Sequence, residues 1–335
     1  MPSLRQLAKL AGVAASTMSR ALRDDPQISP ATRQRLQELV ELYRYRPNRL
    51  TQSLVSGKSS SIGFLMPSVR SIFFSQVLEG VLERAFSESI HVIPLGALGH
   101  MVRCYKALQT FIELRVEGIL LATGNVTPLT KSSILEIWSH GIPTVRIGDT
   151  PVEASMDQVT PDEEQAAELA VDYLSALGHR EIAYLGFYPS SRADAVQYAL
   201  RRRGLTTIYH RSDIGEEAAL APTWNAWRKR SKVPTAILTY NDPIAALLLQ
   251  IVTSQGIRVP QELSVMGGGA YDYLSPFLIP PLTTMQHDGS SLGQRAFDLL
   301  YQRIQSGNTS GTLQPERITI PATLIKRASC AAPRH

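Results

Sequence analysis

A group of small and basic side chains near the start of the chain has the composition of a surface that contacts DNA. Within the segment LRQLAKLAGVAASTMSRAL, six consecutive residues include Ala15, Ser16, Thr17, Ser19 and Arg20. An arginine can donate two hydrogen bonds to the O6 and N7 atoms of guanine, and small side chains let a helix approach the base edges. The chemistry that this pattern predicts is non-covalent recognition of bases and phosphates.

Two short helices around a tight turn are predicted to position these side chains. Leu4 and Leu7 lie at helical spacing, and Gly12 then interrupts the apolar pattern. Met18 and Ala21 provide the apolar face of a second helix. This is the spacing of a helix-turn-helix, although an ordinary hairpin of two helices is the alternative for the stretch taken alone. The pair Ser29-Pro30 predicts the start of a third helix, with serine as N-cap and proline in the first turn.

Positive charge is concentrated in the first sixty residues. They contain ten Lys and Arg residues against four Asp and Glu, a net charge of +6, whereas the whole chain carries +5, so the remainder sums to −1. A basic segment on a near-neutral body is the electrostatic footprint of a nucleic-acid binder. Most of these cations are arginines, which suit phosphate and guanine recognition.

The composition excludes several other classes of protein. Apolar residues make up 44% and charged residues 19% of the 335 residues, which is typical of a globular chain with a sizeable core. No apolar run is long enough to span a membrane, no secretory signal is predicted, and the two cysteines form no paired motif. No catalytic, metal-binding or dinucleotide motif is present, so we expect no enzyme, no metal and no cofactor.

From Ser61 onward, short buried strands alternate with helices, after a Gly-Lys-Ser-Ser linker that ends at Ser60. This alternation predicts an α/β core with parallel sheets, and about 270 residues suggest two doubly wound lobes with a ligand cleft at the carboxyl ends of the strands. Thr160 and Glu163 are predicted to form a capping box for a helix Pro161–Leu177, with Pro161 at its first position.

Motifs along almost the whole chain resemble those of the LacI–GalR family of bacterial transcription repressors. In order they are LRQLAKLAGV, STMSRAL, ISPATRQRL, YRPN, SLVSGKSSSIGFLMPS, VEGILL, GIPTV, LGHREIAYLG, PTAILTYND, GIRVPQELSVMG and PPLTTM. The spacing of LMPS and GGGAYD is similar to that of the gluconate-repressor branch.

The resemblance implies an all-α helix-turn-helix headpiece and a two-lobed α/β core like that of periplasmic binding proteins. The expected boundaries are residues 1–46 for the headpiece, 47–60 for a hinge helix and linker, and 61–335 for the core. Lobe N is expected at about 61–158 plus 289–317, and lobe C at about 159–288 plus 318–335.

The resemblance also assigns DNA contacts to eight residues. Base-reading positions are occupied by Ala15, Ser16 and Arg20, and phosphate-binding positions by Thr17, Ser19, Thr32 and Asn48. Leu54 matches the hinge leucine that wedges into the minor groove and bends the duplex, with an ordinary core leucine as the alternative. Two departures from the family pattern are Ala14, where a serine N-cap is usual, and Thr51-Gln52, where the hinge usually has Ala-Arg.

Six further residues are expected to bind a small-molecule effector, a sugar or a sugar acid. They are Ser68, Phe73, Phe74, Arg192, Asn241 and Asp272. Aromatic faces suit stacking on a sugar or a base, although Phe73 and Phe74 could instead pack beneath a helix. Arg192 is expected to clamp an acidic ligand, with Arg146 as a second cation. Asp272 is either a replacement for the family's usual aspartate or a solvated acid.

The resemblance implies a cytoplasmic, nucleoid-associated bacterial repressor of carbohydrate or sugar-acid metabolism, which binds a pseudo-palindromic DNA operator as a homodimer, with no membrane contact. Its dimer face is expected on the first core helix, at Val77, Leu78 and Val81, and on the helix Val102–Arg115. A periplasmic-type sugar-binding protein is the alternative, but it would leave the basic first segment without a role.

Overall fold

The computed structural model describes residues 2–22, 24–45, 59–98, 100–122, 130–148, 155–187, 190–211, 217–230, 233–269, 274–307 and 314–334. The chain divides into two compact units, the headpiece Met1–Ser60 and the core Ser61–His335, and each is considered by itself. Within the described ranges, no helix is both long and apolar enough to cross a membrane.

The described part of the headpiece contains three helices, α1 (Leu4–Leu10), α2 (Ala15–Ala21) and α3 (Pro30–Leu42). Gly12 has φ +67°, a conformation that favours glycine and makes the tight turn between α1 and α2. The predicted helix-turn-helix is confirmed. Buried side chains from all three helices form its small core, namely Leu7, Ala8, Met18, Ala21 and Leu36.

The helix starts of the headpiece follow the predicted capping pattern. The Ser29 side chain accepts a hydrogen bond from the Thr32 backbone N–H, and Pro30 occupies the first turn of α3, as predicted. Ala14 precedes α2 in an extended conformation and provides no side-chain cap, so the first amides of α2 lack the partner that a serine would supply.

The core alternates strands and helices, as the sequence predicts. Its helices are α4 (Ile72–Ser87), α5 (Met101–Glu113), α6 (Lys131–Ser139), α7 (Glu163–Ala176), α8 (Ser191–Arg202), α9 (Glu217–Arg228), α10 (Asp242–Ser254) and α11 (Gly289–Ser306). Its strands are β1 (Ser61–Met66), β2 (His91–Gly96), β3 (Gly118–Leu121), β4 (Thr144–Ile147), β5 (Asp157–Pro161), β6 (Glu181–Gly186), β7 (Thr206–Arg211), β8 (Ala236–Thr239), β9 (Ser264–Gly267), β10 (Thr283–Gln286), β11 (Arg317–Ile320) and β12 (Thr323–Ile325).

The described strands of the core form two six-stranded sheets, one in each lobe. The sheet of lobe N has the order β11-β5-β4-β3-β1-β2, and that of lobe C has the order β12-β10-β9-β8-β6-β7. Neighbouring strands are parallel except for β12, which runs antiparallel to β10. Helices cover apolar clusters on both sheets, so the predicted pair of doubly wound lobes is confirmed.

Three short crossovers connect the lobes, at residues 161–163, 286–289 and 320–323. Lobe N is therefore residues 61–161 plus 289–320, and two of the expected boundaries were three residues too early. The reason is that Pro161 still pairs with Ile320 at the end of β5 and β11. The predicted capping box at Thr160 is also wrong, because Asp162 caps α7 by accepting from the Gln165 backbone N–H.

Helices α4 and α11 approach so closely that both need glycine at the contact. A Cβ atom on Gly80 would lie 2.0 Å from the carbonyl oxygen of Ser290, and one on Gly293 would lie 2.0 Å from that of Val77. Val77 and Val81 are fully buried at this contact within the subunit, so neither can form the expected dimer face. The exposed apolar side chains on α4 and α5 are instead Leu82, Phe86, Met101, Val102 and Tyr105.

Candidate functional site

Arg20 projects from α2 as a half-exposed cation. Its Nη1 donates to Oε1 of Gln27 at 3.1 Å, and its Nε lies 4.0 Å from a carboxylate oxygen of Asp25. Both partners belong to the loop between α2 and α3, so this loop orients the guanidinium while most of its donors stay available. The side chain is 51% exposed, which leaves it accessible to a base or a phosphate.

The other predicted DNA residues fall into two groups. Ser16 is exposed, and Ala15, Thr17 and Ser19 are half-buried on α2, whereas Thr32 lies on α3 and accepts a hydrogen bond from the Ser29 hydroxyl at 2.8 Å. Asn48 and Leu54 lie outside the described residues, so their roles stay predictions. Within the described headpiece, the residues predicted to read bases therefore lie together on one short helix, α2.

A cavity of about 150 Å³ lies between the lobes of the core. This volume is below the roughly 300–1,000 Å³ of pockets for drug-sized ligands, which indicates a small occupant. The lining residues sit at or after the carboxyl ends of strands, where ligands bind in doubly wound sheets. They are Ser71, Phe73, Phe74, Gln76, Ile147, Gly148, Pro161, Glu163, Ser190, Ser191, Arg192, Tyr240, Asn241, Gly268, Gly269 and His287.

Four of the six predicted effector residues line this cavity. Phe73 and Phe74 begin α4 and pack edge to face, with ring centroids 5.3 Å apart. Asn241 caps α10, because its Oδ1 accepts from the Ile244 backbone N–H at 3.0 Å. Arg192 is the fourth of these residues.

The remaining predicted effector residues are not brought to the cavity. Ser68 is not among the described lining residues, and its Oγ accepts from the Arg70 backbone N–H in a local turn, while Ser71 lines the cavity instead. Asp272 lies outside the described residues. Arg146 is also not among the described lining residues, and it donates to Oε1 of Gln158 at 2.6 Å.

Arg192 is held by protein groups on every side. Its Nε and Nη2 donate to the two carboxylate oxygens of Glu163, each at 2.8 Å, and Nη2 also approaches Nε2 of His287 at 3.1 Å. Its Nη1 donates to the backbone carbonyls of Gly268, at 2.7 Å, and of Tyr240. The guanidinium carbon also lies 4.7 Å from the centre of the Tyr240 ring.

Burial and charge pairing together set the protonation of this cluster. Burial is the largest single influence on Glu163 and opposes its ionisation, but the charge and hydrogen bonds of Arg192, together with His287, outweigh it and lower the pKa of the carboxyl. Burial likewise opposes the charge on Arg192, but Glu163 outweighs it and raises the pKa of the guanidinium. Burial, followed by the charge of Arg192, lowers the pKa of His287 to about 4. At pH 7 the cluster is therefore an ion pair beside a neutral imidazole.

Sequence reasoning missed Glu163 and His287. Glu163 was interpreted as a helix-capping residue, because its partner Arg192 is 29 residues away and no local pattern links them. His287 follows the carboxyl end of β10, so the rule that located the other cavity segments would have found it if applied to that strand as well.

Two family models match separate parts of the chain. The model described as bacterial regulatory proteins, lacI family, matches residues 3–48. The model described as a periplasmic binding protein-like domain matches residues 171–330. These ranges lie in the headpiece and in the core, respectively.

Relatives match over almost the full length. The ribose operon repressor of Escherichia coli (strain K12) is 28% identical over 339 residues, which cover 98% of this chain and 100% of the relative. The HTH-type transcriptional repressor PurR of Vibrio parahaemolyticus is 28% identical and covers 91% of this chain and 92% of its own. Among solved structures, the Lac repressor dimer bound to operator and the anti-inducer ONPF has a TM-score of 0.85 at 25% identity, covering 99% of each chain.

Proposed function

Because this chain belongs to the LacI family of bacterial regulatory proteins, we propose that it is a sequence-specific DNA-binding transcriptional repressor controlled by a small-molecule effector. In this proposal the headpiece binds a pseudo-palindromic operator, and the effector occupies the interlobe cavity. The observation that carries the proposal is the presence, in one chain, of a basic helix-turn-helix with an exposed Arg20 and a two-lobed core with a lined cavity.

The headpiece supports the DNA-binding half of the proposal. In helix-turn-helix proteins the second helix enters the major groove, and α2 is that helix here. Arg20 can donate to guanine from an exposed position, while Ser16 and Ala15 are small enough for close approach. Thr17, Ser19, Thr32 and Asn48 are proposed phosphate contacts, and Leu54 is the proposed minor-groove wedge.

The cavity supports the effector half of the proposal. It combines aromatic faces from Phe73 and Phe74 with polar groups from Glu163, Asn241 and His287, the mixture that binds small hydroxyl-rich molecules. A ligand that prefers one arrangement of the lobes shifts the population of that arrangement, and by linkage it changes operator affinity by the same coupling free energy.

The names of two relatives support a proposal for the target genes and the oligomeric state of this protein. A relative named a ribose operon repressor covers this chain almost entirely, and a solved relative is a dimer on its operator. By extension, we propose that this protein is a homodimeric, cytoplasmic repressor of genes for carbohydrate or sugar-acid metabolism. No catalytic step is assigned to the cavity, since the named relatives are repressors.

Selection of genomic fragments by the purified full-length protein, followed by footprinting, tests this function. We expect a protected pseudo-palindrome of two half-sites, and we expect Arg20→Ala to weaken its binding. Arg258→Ala is the matched control, because it removes the same charge from an exposed ion pair with Glu262 in the core. The proposal fails if no fragment is enriched, or if both variants lose binding equally.

A further inference from the structure

The guanidinium of Arg192 has no donor left for a ligand. Arginine carries five N–H groups, and the five hydrogen bonds of Arg192 go to the two oxygens of Glu163, to His287 and to two backbone carbonyls. An anionic ligand could bind it only by displacing one of these partners. The positive charge is also already balanced by the ionised carboxylate of Glu163.

His287 has the opposite property, because one of its ring nitrogens lacks a partner. Arginine can only donate, so Nε2 of His287 accepts from Arg192 and the proton of the neutral ring resides on Nδ1. Nδ1 is buried and has no hydrogen-bond partner among the described residues, although the ring, 5% exposed, lines the cavity. Buried donors are rarely left unsatisfied, so this N–H indicates a missing acceptor.

Glu163 supplies acceptors at the same place. Each of its carboxylate oxygens accepts one N–H from Arg192, and an ionised carboxylate oxygen has capacity for a second hydrogen bond. The side chain is 12% exposed and lines the cavity. Among the described lining residues, Glu163 and Arg192 carry the charges, and these two cancel.

We propose that Glu163, Arg192 and His287 form a charge filter that admits an uncharged, hydroxyl-bearing effector and excludes a carboxylate or phosphate. This inference rests on the effector role proposed above for the cavity. His287 donates from Nδ1 to an oxygen of the ligand, and Glu163 accepts from a ligand hydroxyl. An anion at this position would face the Glu163 carboxylate, and the described lining residues offer no unpaired cation to compensate it. The filter selects neutral sugars and polyols over the corresponding sugar acids.

Calorimetric titration of the full-length protein with matched ligand pairs tests the filter directly. The pairs are D-ribose with D-ribonate, D-glucose with D-gluconate, and ribitol with ribitol 5-phosphate. We expect a neutral member to bind at least about tenfold more tightly than its anionic partner. Equal or tighter binding of an anion overturns the filter, and so does a lack of binding by every neutral member.

Two charge-matched variants locate the filter at one carboxylate. Glu163→Gln keeps the size of the side chain but removes its charge, so the preference for the neutral member should fall at least about tenfold. Glu164→Gln removes the same charge from the adjacent exposed residue, which is not among the described lining residues, and should leave the preference unchanged. Equal behaviour of the two variants overturns the assignment to Glu163.

Two readouts separate this inference from the proposed function. Operator binding without ligand should be present in the wild-type protein and retained in the Glu164→Gln control. Its absence from the wild-type protein would refute the proposed regulator and not the filter. The melting temperature of each ligand-free variant reports whether it has folded. If Glu163→Gln does not fold, the ligand pairs on the wild-type protein still decide the matter.

Discussion

Two arginines that the sequence assigns to ligand contact have opposite surroundings. Arg20 in the headpiece is 51% exposed and contacts only Gln27 and Asp25, at 3.1 and 4.0 Å, among the described residues. Arg192 in the core is 16% exposed, and each of its five donors is engaged. A residue's type and its place in a family pattern therefore do not decide whether its charge is available to a partner.

The difference follows from what surrounds each side chain. A short helix on a core of few residues leaves Arg20 half-exposed, and solvent there stabilises a cation whose contact with Asp25 is as long as 4.0 Å. At the carboxyl ends of β8 and β9, two carbonyls and the Glu163 carboxylate converge on Arg192, and an unpaired charge there would be costly. Arg20 is available for an anionic partner, whereas Arg192 organises the wall of a cavity.

The largest effect is expected for Arg192→Ala. Removal of the guanidinium leaves the carboxylate of Glu163, which is only 12% exposed, without its cation, and breaking a buried pair of this kind costs about 3–5 kcal/mol. Urea unfolding of the core measures this loss. Arg20→Ala should change the same transition by less than about 0.5 kcal/mol. A small loss for Arg192→Ala would show that the cluster is not a structural centre of lobe C.

Acid should weaken the core through His287. Its folded pKa of about 4 lies below the usual value of 6.5, so the unfolded state binds more protons between these values. Stability is thus full above about pH 6.5 and falls as the pH decreases toward 4, by up to about 3 kcal/mol. The free energy of unfolding is measured across this pH range for the wild type and for His287→Gln. Their difference isolates the contribution of His287, because the other groups titrate in both proteins. Parallel stability profiles would contradict the neutral, buried imidazole.

Arg20→Ala should relax recognition at one base pair of each half-site. Loss of a bidentate arginine–guanine contact removes about 1–3 kcal/mol of discrimination, while the fold is retained because the side chain is largely exposed. Gel shifts on an operator and on its single-base variants measure the change. Uniformly weaker binding to all variants would instead indicate a phosphate contact.

We expect Gln27→Ala to have the smallest effect, which is a weaker loss of discrimination at the base pair that Arg20 contacts. The exposed hydrogen bond from Arg20 to Gln27 contributes about 0.5–1.5 kcal/mol at most to holding the guanidinium in place. A double-mutant cycle with Arg20→Ala should show coupling, because the glutamine acts through the arginine. Additive effects would mean that Gln27 contacts DNA independently or not at all.

Local patterns were sufficient to predict much of the fold. Gly12 and the Ser29-Pro30 pair mark turns and helix starts through their own backbone chemistry, and buried apolar runs marked most central strands. The edge strands β11 and β12 were missed because they are short and their side chains are partly exposed. Pro161 was interpreted as a helix start, since nothing local shows that it pairs with Ile320.

The cavity was less predictable than the fold. The family resemblance located Phe73, Arg192 and Asn241, but no local pattern showed that Glu163 neutralises Arg192. That pairing depends on how α7 and α8 pack together, which is a tertiary property. Val77 was likewise assigned to a dimer surface because its apolar character fits an interface and a core equally well.

The glycine contact between α4 and α11 has a mechanical consequence. Helix α11 begins directly after the crossover that contains His287, and the first turn of α4 carries Phe73 and Phe74, which line the same cavity. At Gly80 and Gly293 the backbones of the two helices are in direct contact, because neither residue has a side chain to separate them. Close-packed contacts of this kind transmit displacement. We therefore expect α4 and α11 to move as one rigid unit. A displacement of the crossover at residues 286–289 would then also displace Phe73 and Phe74.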